Sequence, residues 1–213
     1  MTKPSPLTRQ NGYAPPRYRA AQRSSDALLD AGRELLRTRT IDAISVQELC
    51  AQAQLTTGAF YGRFSGKDAY VQALLTLAAH DIGLRMQATV ARLERGAPDL
   101  RGAAAALLGT MRQALRRHEG VLRASLQDPR HRETWAPFKH GGQQLVEQVS
   151  PLMLAAAGLP DTPAMRARLR FAFQMAMGTL VNALLNDPGP LRLSSPALDA
   201  ELAVAVSAYL LAA

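Results

Sequence analysis

The side chains of this sequence that could do chemistry are concentrated between Thr56 and Lys67. Two adjacent hydroxyls, Thr56 and Thr57, are followed by the phenol of Tyr61 and the cations Arg63 and Lys67. These groups form hydrogen bonds and attract anions, but none is a nucleophile paired with a base. The stretch is therefore typical of noncovalent recognition of a polar or anionic partner.

Catalytic and metal sites need patterns that this sequence lacks. Its four histidines form no H-E-x-x-H pair, and its single cysteine excludes both a disulfide framework and a cysteine-rich metal site. Neither a G-x-S-x-G motif nor a glycine-rich phosphate loop is present. We therefore expect a protein that is not an enzyme and that uses no metal or cofactor. The four histidines are His80, His118, His131 and His140, and the cysteine is Cys50.

Two short helices must position the polar stretch. Ser45-Val-Gln-Glu48 is a capping box, in which the serine and glutamate side chains each bond an orphan backbone N–H. Ile44 before the box and Leu49 after it can form a hydrophobic staple. The predicted elements are a helix from Ser45 to about Ala53, a tight turn at Gln54–Leu55, and a helix from Thr56 or Thr57 to near Phe64. A capping signal at Ser65-Gly-Lys-Asp68 predicts that a long helix follows.

Helices this short are not stable alone, so they fit a helix-turn-helix that an earlier helix supports. An apolar stripe predicts that earlier helix, capped by Ser24 or Ser25 and ending near residues 39–42. Cys50 is interpreted as a small hydrophobe where the two short helices cross, in preference to a redox sensor. The stripe is Leu28, Ala31, Gly32, Leu35 and Leu36, and the inward positions of the motif are Leu49, Ala53, Leu55 and Phe60.

Residues 24–75 resemble the DNA-binding region of tetracycline-repressor-type (TetR-type) regulators. The most specific part is Gly58-Ala59-Phe60-Tyr61 with Phe64 and then Lys67. The family usually has glycine in the turn, where this chain has Gln54. It also often has a glycine before an aromatic ahead of the second helix, where this chain has Thr40-Ile41. Neither change removes a group expected to contact DNA.

The resemblance implies that the third helix enters the major groove of DNA by its N-terminal end. Thr56 can cap that helix and reach a phosphate, and Thr57 can bond a base edge. Ala59 offers a methyl to a thymine methyl, and Gly58 lets the backbone approach the DNA closely. Gly58 could instead serve only the packing of helices.

Tyr61 and Lys67 match the family's phosphate-bonding tyrosine and lysine, whose contacts set register without reading sequence. Gly62 and Arg63 occupy positions that often touch DNA in the family, and Arg63 could reach either a guanine or a phosphate. The alternatives are a plain packing role for Tyr61 and an ordinary solvated charge for Lys67.

The N-terminal region of the chain is basic and proline-rich. Residues 1–23 hold five cations and no acid, within a net charge of +8. A basic end suits a polyanion such as DNA, although solubility is the alternative explanation. Residues 1–22 are predicted to form a disordered arm, which either follows the minor groove or is merely solvated. The cations are Lys3, Arg9, Arg17, Arg19 and Arg23.

The rest of the chain is also predicted to be helical, which makes the fold all-α. We expect the arm at 1–22, a three-helix helix-turn-helix domain at 23–70, and a larger helical domain at 71–213. The resemblance implies that the larger domain binds an effector and dimerises. Its last two long helices, 163–186 and 196–212, carry stripes suited to a four-helix dimer interface or to an intrachain core. The stripes are Met165, Leu169, Phe173, Ala176, Leu180 and Leu184, then Leu198, Leu202, Ala205 and Tyr209.

An effector pocket is expected between helices of the larger domain. The candidate lining residues could equally be plain core. A run of arginines could meet an anionic effector, but a solvated face is the favoured interpretation. The lining candidates are Met111, Trp135, Phe138, Phe171 and Met175, and the arginines are Arg112, Arg116, Arg117 and Arg123.

We therefore expect a dimeric, cytoplasmic, sequence-specific regulator that binds an operator in double-stranded DNA and no membrane. Repression, released by an unknown small molecule, is what the resemblance implies. The competing hypothesis is a helical adaptor that binds protein through the same small domain. The basic arm and the Tyr61/Lys67 pair argue against it.

Overall fold

The computed structural model describes residues 6–7, 12–126 and 135–212. These residues form nine α-helices and no strand, so the predicted all-α fold is confirmed. No helix among them is long and apolar enough to cross a lipid bilayer. The helices are α1 (Arg19–Leu35), α2 (Val46–Gln52), α3 (Thr57–Tyr61), α4 (Lys67–Gly96), α5 (Leu100–Arg117), α6 (Glu119–Leu126), α7 (Ala136–Ala156), α8 (Pro163–Asn186) and α9 (Pro196–Leu211).

The chain divides into two compact units. The first contains α1, α2, α3, the part of α4 up to His80, and α6. The second contains α4 from Asp81, then α5, α7 from Phe138, α8 and α9. The expected boundary at residue 70 differs from this division because α4 runs unbroken through both units. Its periodicity does not show where its packing partners change.

An aromatic cluster forms the core of the first unit. Phe60, Phe64 and Tyr70 are fully buried, and the ring centroids of Phe64 and Tyr70 lie 5.0 Å apart. The Tyr70 hydroxyl donates a 2.6 Å hydrogen bond to the Leu28 carbonyl, and burial raises the pKa of this phenol. The cluster thereby joins α3 and α4 to α1.

α1 begins earlier than the serine caps predicted. It starts at Arg19 after Tyr18, which makes no side-chain cap, and it ends at Leu35. Ser24 lies inside the helix, where its hydroxyl donates to the Ala20 carbonyl. Ser25 is fully buried and shares a 3.3 Å hydrogen bond with the Tyr13 hydroxyl. Both serines therefore bond within the folded unit instead of capping.

Residues 12–14, which we call the N-terminal strap, lie antiparallel to residues 63–65. The Ser65 N–H donates to the Gly12 carbonyl at 2.9 Å, and the Ala14 N–H donates to the Arg63 carbonyl at 2.8 Å. Tyr13 is buried, with its ring 5.5 Å from that of Phe64. The expected disorder of residues 1–22 is therefore corrected for residues 12–22. Residues 1–5 and 8–11 lie outside the described part.

The predicted capping box at the start of α2 is confirmed. The Ser45 hydroxyl accepts from the Glu48 N–H, and the Glu48 carboxylate accepts from the Ser45 N–H at 2.8 Å. Ile44 and Leu49, the two staple positions, are both fully buried. Arg39 adds a 2.8 Å ion pair to Glu48, which joins the loop after α1 to α2.

The Arg39 ion pair and the capping hydrogen bonds lower the pKa of Glu48 from 4.5 to about 2. A lowered pKa means that this carboxylate stabilises the fold above pH 4.5 and stops doing so as the pH falls toward about 2. We expect a Glu48→Gln variant to be less stable than the wild type at pH 6, and the gap to close by pH 2. Thermal melts of both proteins across this range would test it, and a constant gap would contradict it.

A buried ion pair joins two helices of the second unit, α5 and α9, which pack along each other. Arg112 of α5 is buried and lies 3.2 Å from the Asp199 carboxylate of α9, and it also donates to the Leu193 carbonyl. Because both charges are largely removed from water, neither can be lost alone without leaving the other unpaired. The pair therefore fixes the start of α9 against α5.

The last two helices follow their predicted bounds, with Thr162 and Ser195 as N-caps. Their apolar stripes divide between a core and a surface. Leu169, Phe173, Ala176, Leu180, Leu184 and Leu198 are buried within the chain, whereas Met165, Leu202, Ala205 and Tyr209 are not. The intrachain-core alternative thus accounts for most of the α8 stripe. His118 separates α5 from α6.

Candidate nucleic-acid interface

The turn between α2 and α3 keeps the geometry of a glycine turn without a glycine. Gln54 adopts a φ of 56°, in the left-handed region that costs strain for any side chain. The Leu55 N–H donates to the Cys50 carbonyl at 2.8 Å and closes the turn. Cys50 is buried, which raises the pKa of its thiol and agrees with its interpretation as a packed hydrophobe.

α3 is a single well-defined turn that Thr56 caps. The Thr56 hydroxyl accepts from the Ala59 N–H at 3.3 Å, as predicted. The helix ends at Tyr61, short of the predicted Phe64, although the Phe64 N–H still donates to the Phe60 carbonyl. Phe60 is the one fully buried residue of α3, and it anchors the helix to the aromatic cluster.

The eight residues predicted to contact DNA form what we call the α3 surface. Five of them are exposed and three are half-buried, so the structure brings the eight predicted DNA contacts together on the outside of the first unit. The exposed residues are Thr56, Thr57, Gly58, Tyr61 and Gly62, and the half-buried ones are Ala59, Arg63 and Lys67.

Tyr61 projects into solvent although it neighbours the buried Phe60. Its side chain is 60% exposed, and its one described ring contact is edge-on to Phe60 at 5.3 Å. Leaving a large aromatic in water forgoes the free energy that burial would supply. A plain packing role for Tyr61 is therefore disfavoured, and its hydroxyl is free to meet an external acceptor.

Gly58 is not required by packing inside the protein. A Cβ placed on it would have one neighbour, the Thr56 hydroxyl at 3.7 Å, which is an ordinary contact distance. An exposed glycine inside a helix costs roughly 1 kcal/mol relative to alanine. The open space around Gly58 therefore leaves the α3 backbone accessible from outside the chain.

The two cations of the α3 surface have no acidic partner among the described residues. Arg63 donates to the neighbouring Gly62 carbonyl at 3.2 Å, and Lys67 makes no ion pair in that part of the chain. Lys67 is the first residue of α4, at the positive end of the helix dipole. A cation is unfavourable there, so a bound anion would relieve the repulsion.

The candidate effector residues do not gather as expected. Trp135 belongs to the first unit, where its indole N–H donates to the Ser125 hydroxyl at 3.0 Å. Phe171 and Met175 are 47% and 39% exposed on the outside of α8, which corrects the expectation that they line a pocket within the chain. Met111 and Phe138 are half-buried in the second unit.

The arginine run is also explained without a ligand, because each member has a partner within its own unit. Arg112 pairs with Asp199, Arg116 donates to the Ser194 carbonyl, and Arg117 lies 3.6 Å from Asp81. Arg123 pairs with Glu119 one turn away. The run therefore gives no support to an anionic effector. Within the described residues, His, Cys, Asp and Glu nowhere cluster in a group of three that could hold a metal ion.

Comparison with known proteins supports the interface. Residues 28–74 match the family of bacterial regulatory proteins described as the tetR family, and this range includes the C-terminal part of α1, all of α2 and α3, and the start of α4. A search of curated proteins found no match. Similar solved structures are TetR-family transcriptional regulators from Mesorhizobium loti, Streptomyces coelicolor and Thermus thermophilus (the last named PfmR).

The structural similarity extends over nearly the whole chain. The M. loti protein has a TM-score of 0.70 at 17% identity, with 92% of this chain and 98% of that one covered. The S. coelicolor protein has a TM-score of 0.63 at 17% identity, covering 88% and 80%. PfmR has a TM-score of 0.60 at 17% identity, covering 87% and 97%. At these identities the comparisons establish a shared fold.

Proposed function

This chain belongs to the tetR family of bacterial regulatory proteins and is a DNA-binding transcriptional regulator, and from that premise we propose that it is a homodimeric repressor released from its operator by a small molecule. The α3 surface contacts DNA in this proposal. The observation that carries it is the exposure of Tyr61, an aromatic that the fold leaves in water beside two cations without acidic partners.

Each residue of the α3 surface then has a role in the complex. Thr57 and Ala59 meet base edges, because they lie at the N-terminal end of the helix that enters the groove. Thr56, Tyr61 and Lys67 bond phosphates and set the register. Three further residues complete the surface: Gly58 lets the DNA approach the protein backbone, Gly62 touches the DNA, and Arg63 bonds a guanine or a phosphate.

Dimerisation through α8 and α9 is supported by an apolar outer face. On α8, Phe171, Met175 and Gly178 recur at helical spacing and are exposed. On α9, Val204 and Ala208 are exposed in the same way. Burying such a face between two copies would pair two helices from each subunit and present two recognition helices to successive half-sites.

Release by an effector follows from linkage between the two states of the dimer. An effector that binds better to a conformation whose recognition helices do not match the groove spacing lowers DNA affinity by the ratio of its two affinities. Met111 and Phe138, both half-buried, remain candidates for effector contact in the second unit. Equal effector affinity for free and DNA-bound protein would contradict this mechanism.

The test of the DNA site uses fluorescence anisotropy with a duplex that the wild-type protein enriches from a random library. A Tyr61→Phe, Lys67→Ala double variant should bind at least tenfold more weakly, since each lost phosphate contact is a hydrogen bond to a charged group worth about 1.5–3 kcal/mol. Its salt dependence should also be shallower. Tyr61 is exposed, and Lys67 is a cation at a helix end that disfavours it, so neither substitution should lower the melting temperature.

A Gly58→Ala variant tests separately whether DNA approaches the backbone of α3 closely. The protein accommodates the added methyl, so the variant should fold normally while losing DNA affinity. Binding that survives both variants would remove the site assignment but keep the function. A wild type that binds no duplex would favour the adaptor hypothesis instead.

A further inference from the structure

A second basic surface directly follows the N-terminal strap, and we call it the strap-end surface: Arg17, Tyr18, Arg19 and Arg23. All four residues are exposed, and Tyr18 is the most exposed large hydrophobic residue described, at 67%. None of the three arginines forms an ion pair or hydrogen bond within the described part of the chain. The first turn of α1 contains no acidic residue.

The N-terminal strap fixes where this surface lies. Ala14 is hydrogen-bonded to Arg63, which belongs to the α3 surface, and Gly12 is hydrogen-bonded to Ser65. Three residues of chain span at most about 11 Å, so Arg17 cannot lie farther than that from Ala14. The buried Tyr13 side chain holds the strap in place against Phe64 and Ser25. The strap therefore places the first residue of the strap-end surface within about 11 Å of Ala14, which is bonded to Arg63 of the α3 surface.

Both surfaces share the same chemistry. Each contains an exposed tyrosine, Tyr18 or Tyr61, together with cations that form no ion pair with an acidic side chain of the described chain. Fixed cations with no internal counter-ion repel one another and cost stability unless a polyanion neutralises them. DNA phosphates recur along the duplex at intervals of a few ångström, so a duplex bound at the α3 surface offers further phosphates to nearby cations.

We propose that the strap-end surface binds the DNA phosphate backbone flanking each half-site, and that the N-terminal strap serves to hold it there. This proposal rests on the proposed function of the α3 surface. The strap-end contacts add affinity and salt dependence. They carry no sequence information, because they touch phosphates and not base edges.

The test compares full-length Arg17→Gln, Arg19→Gln, Arg23→Gln protein with the wild type on the enriched duplex across a salt series. Each phosphate contact contributes about 0.9 to the slope of log affinity against log salt. A dimer loses contacts in pairs, so the slope should become shallower by about 2 or more. The sequence enriched from a random library should be the same for both proteins.

A matched control removes three exposed arginines from the second unit, none of which has a partner in the described chain: Arg92→Gln, Arg95→Gln, Arg101→Gln. It changes the net charge equally and should leave the slope unchanged. Duplexes with shortened flanks provide a second readout: they should weaken wild-type binding but not binding by the strap-end variant.

Several outcomes would overturn the proposal. A strap-end variant with the wild-type slope, or one that shifts no more than the control, would remove the proposed contacts while the Tyr61/Lys67 result still upheld the α3 surface. A changed consensus sequence would mean that the surface reads bases. If the wild type enriched no duplex, both the proposed function and this inference would fail.

Discussion

Replacing Gly32 with alanine is expected to destabilise the first unit by about 3 kcal/mol, the sum of overpacking and a strained buried hydrogen bond. A Cβ at this position would lie 1.8 Å from the Tyr70 hydroxyl oxygen, far inside contact distance. Tyr70 cannot yield easily, because it is fully buried against Phe60 and Phe64 and bonded to the Leu28 carbonyl. Native-state hydrogen exchange would locate the loss in α1, α3 and the start of α4.

Two further variants make the Gly32 result specific. Gly83→Ala, on α4 in the second unit, adds a methyl with nothing within 4 Å and should be neutral or slightly stabilising. Adding Tyr70→Phe to Gly32→Ala removes the clashing hydroxyl and should recover part of the loss. A Gly32→Ala protein as stable as the wild type would mean that α1 and α4 do not approach each other as described.

A Phe171→Glu, Val204→Glu variant is expected to be monomeric and to bind the enriched duplex at least about 100-fold more weakly, because the second half-site is then no longer bound intramolecularly. Both side chains are exposed in the single chain, so the substitutions leave the core of the second unit intact. Burying four carboxylates across a two-fold interface would instead be strongly unfavourable. Sedimentation equilibrium and anisotropy measure the two effects.

The control for the dimer is Leu84→Glu, at another exposed leucine of the second unit, on α4. It adds one carboxylate at an exposed apolar position away from the outer face of α8 and α9, and it should remain dimeric. A doubly substituted protein that stays dimeric would move the interface away from the outer face of α8 and α9. A monomer that keeps full DNA affinity would contradict the requirement for two subunits.

The elements that the sequence predicts best are those specified by residues close together in the chain. The capping box at Ser45 and the Thr56 cap depend on contacts within a few residues, so the types and spacing of those residues are sufficient to predict them. The α8 and α9 bounds follow from Pro163 and Pro196 for the same reason.

What the sequence could not predict depends on distant partners. The strap is held against residues some fifty positions later by two backbone hydrogen bonds and by the buried ring of Tyr13, and no periodic pattern marks it. An apolar stripe shows that a helix face is covered but not by what. The α8 stripe therefore suited a dimer interface equally well, while the outer face carrying Phe171 was mistaken for pocket lining.

The central claim is sequence-specific recognition of DNA through the α3 surface. The most direct test is selection of duplexes from a random library by the full-length wild type and by the Tyr61→Phe, Lys67→Ala variant, near physiological salt. The wild type is expected to enrich one two-fold symmetric motif, with half-sites about 10 base pairs apart or a multiple of that spacing. The variant should enrich it much more weakly. The absence of any enriched motif for the wild type, or equal enrichment by both proteins, would contradict sequence-specific recognition through the α3 surface.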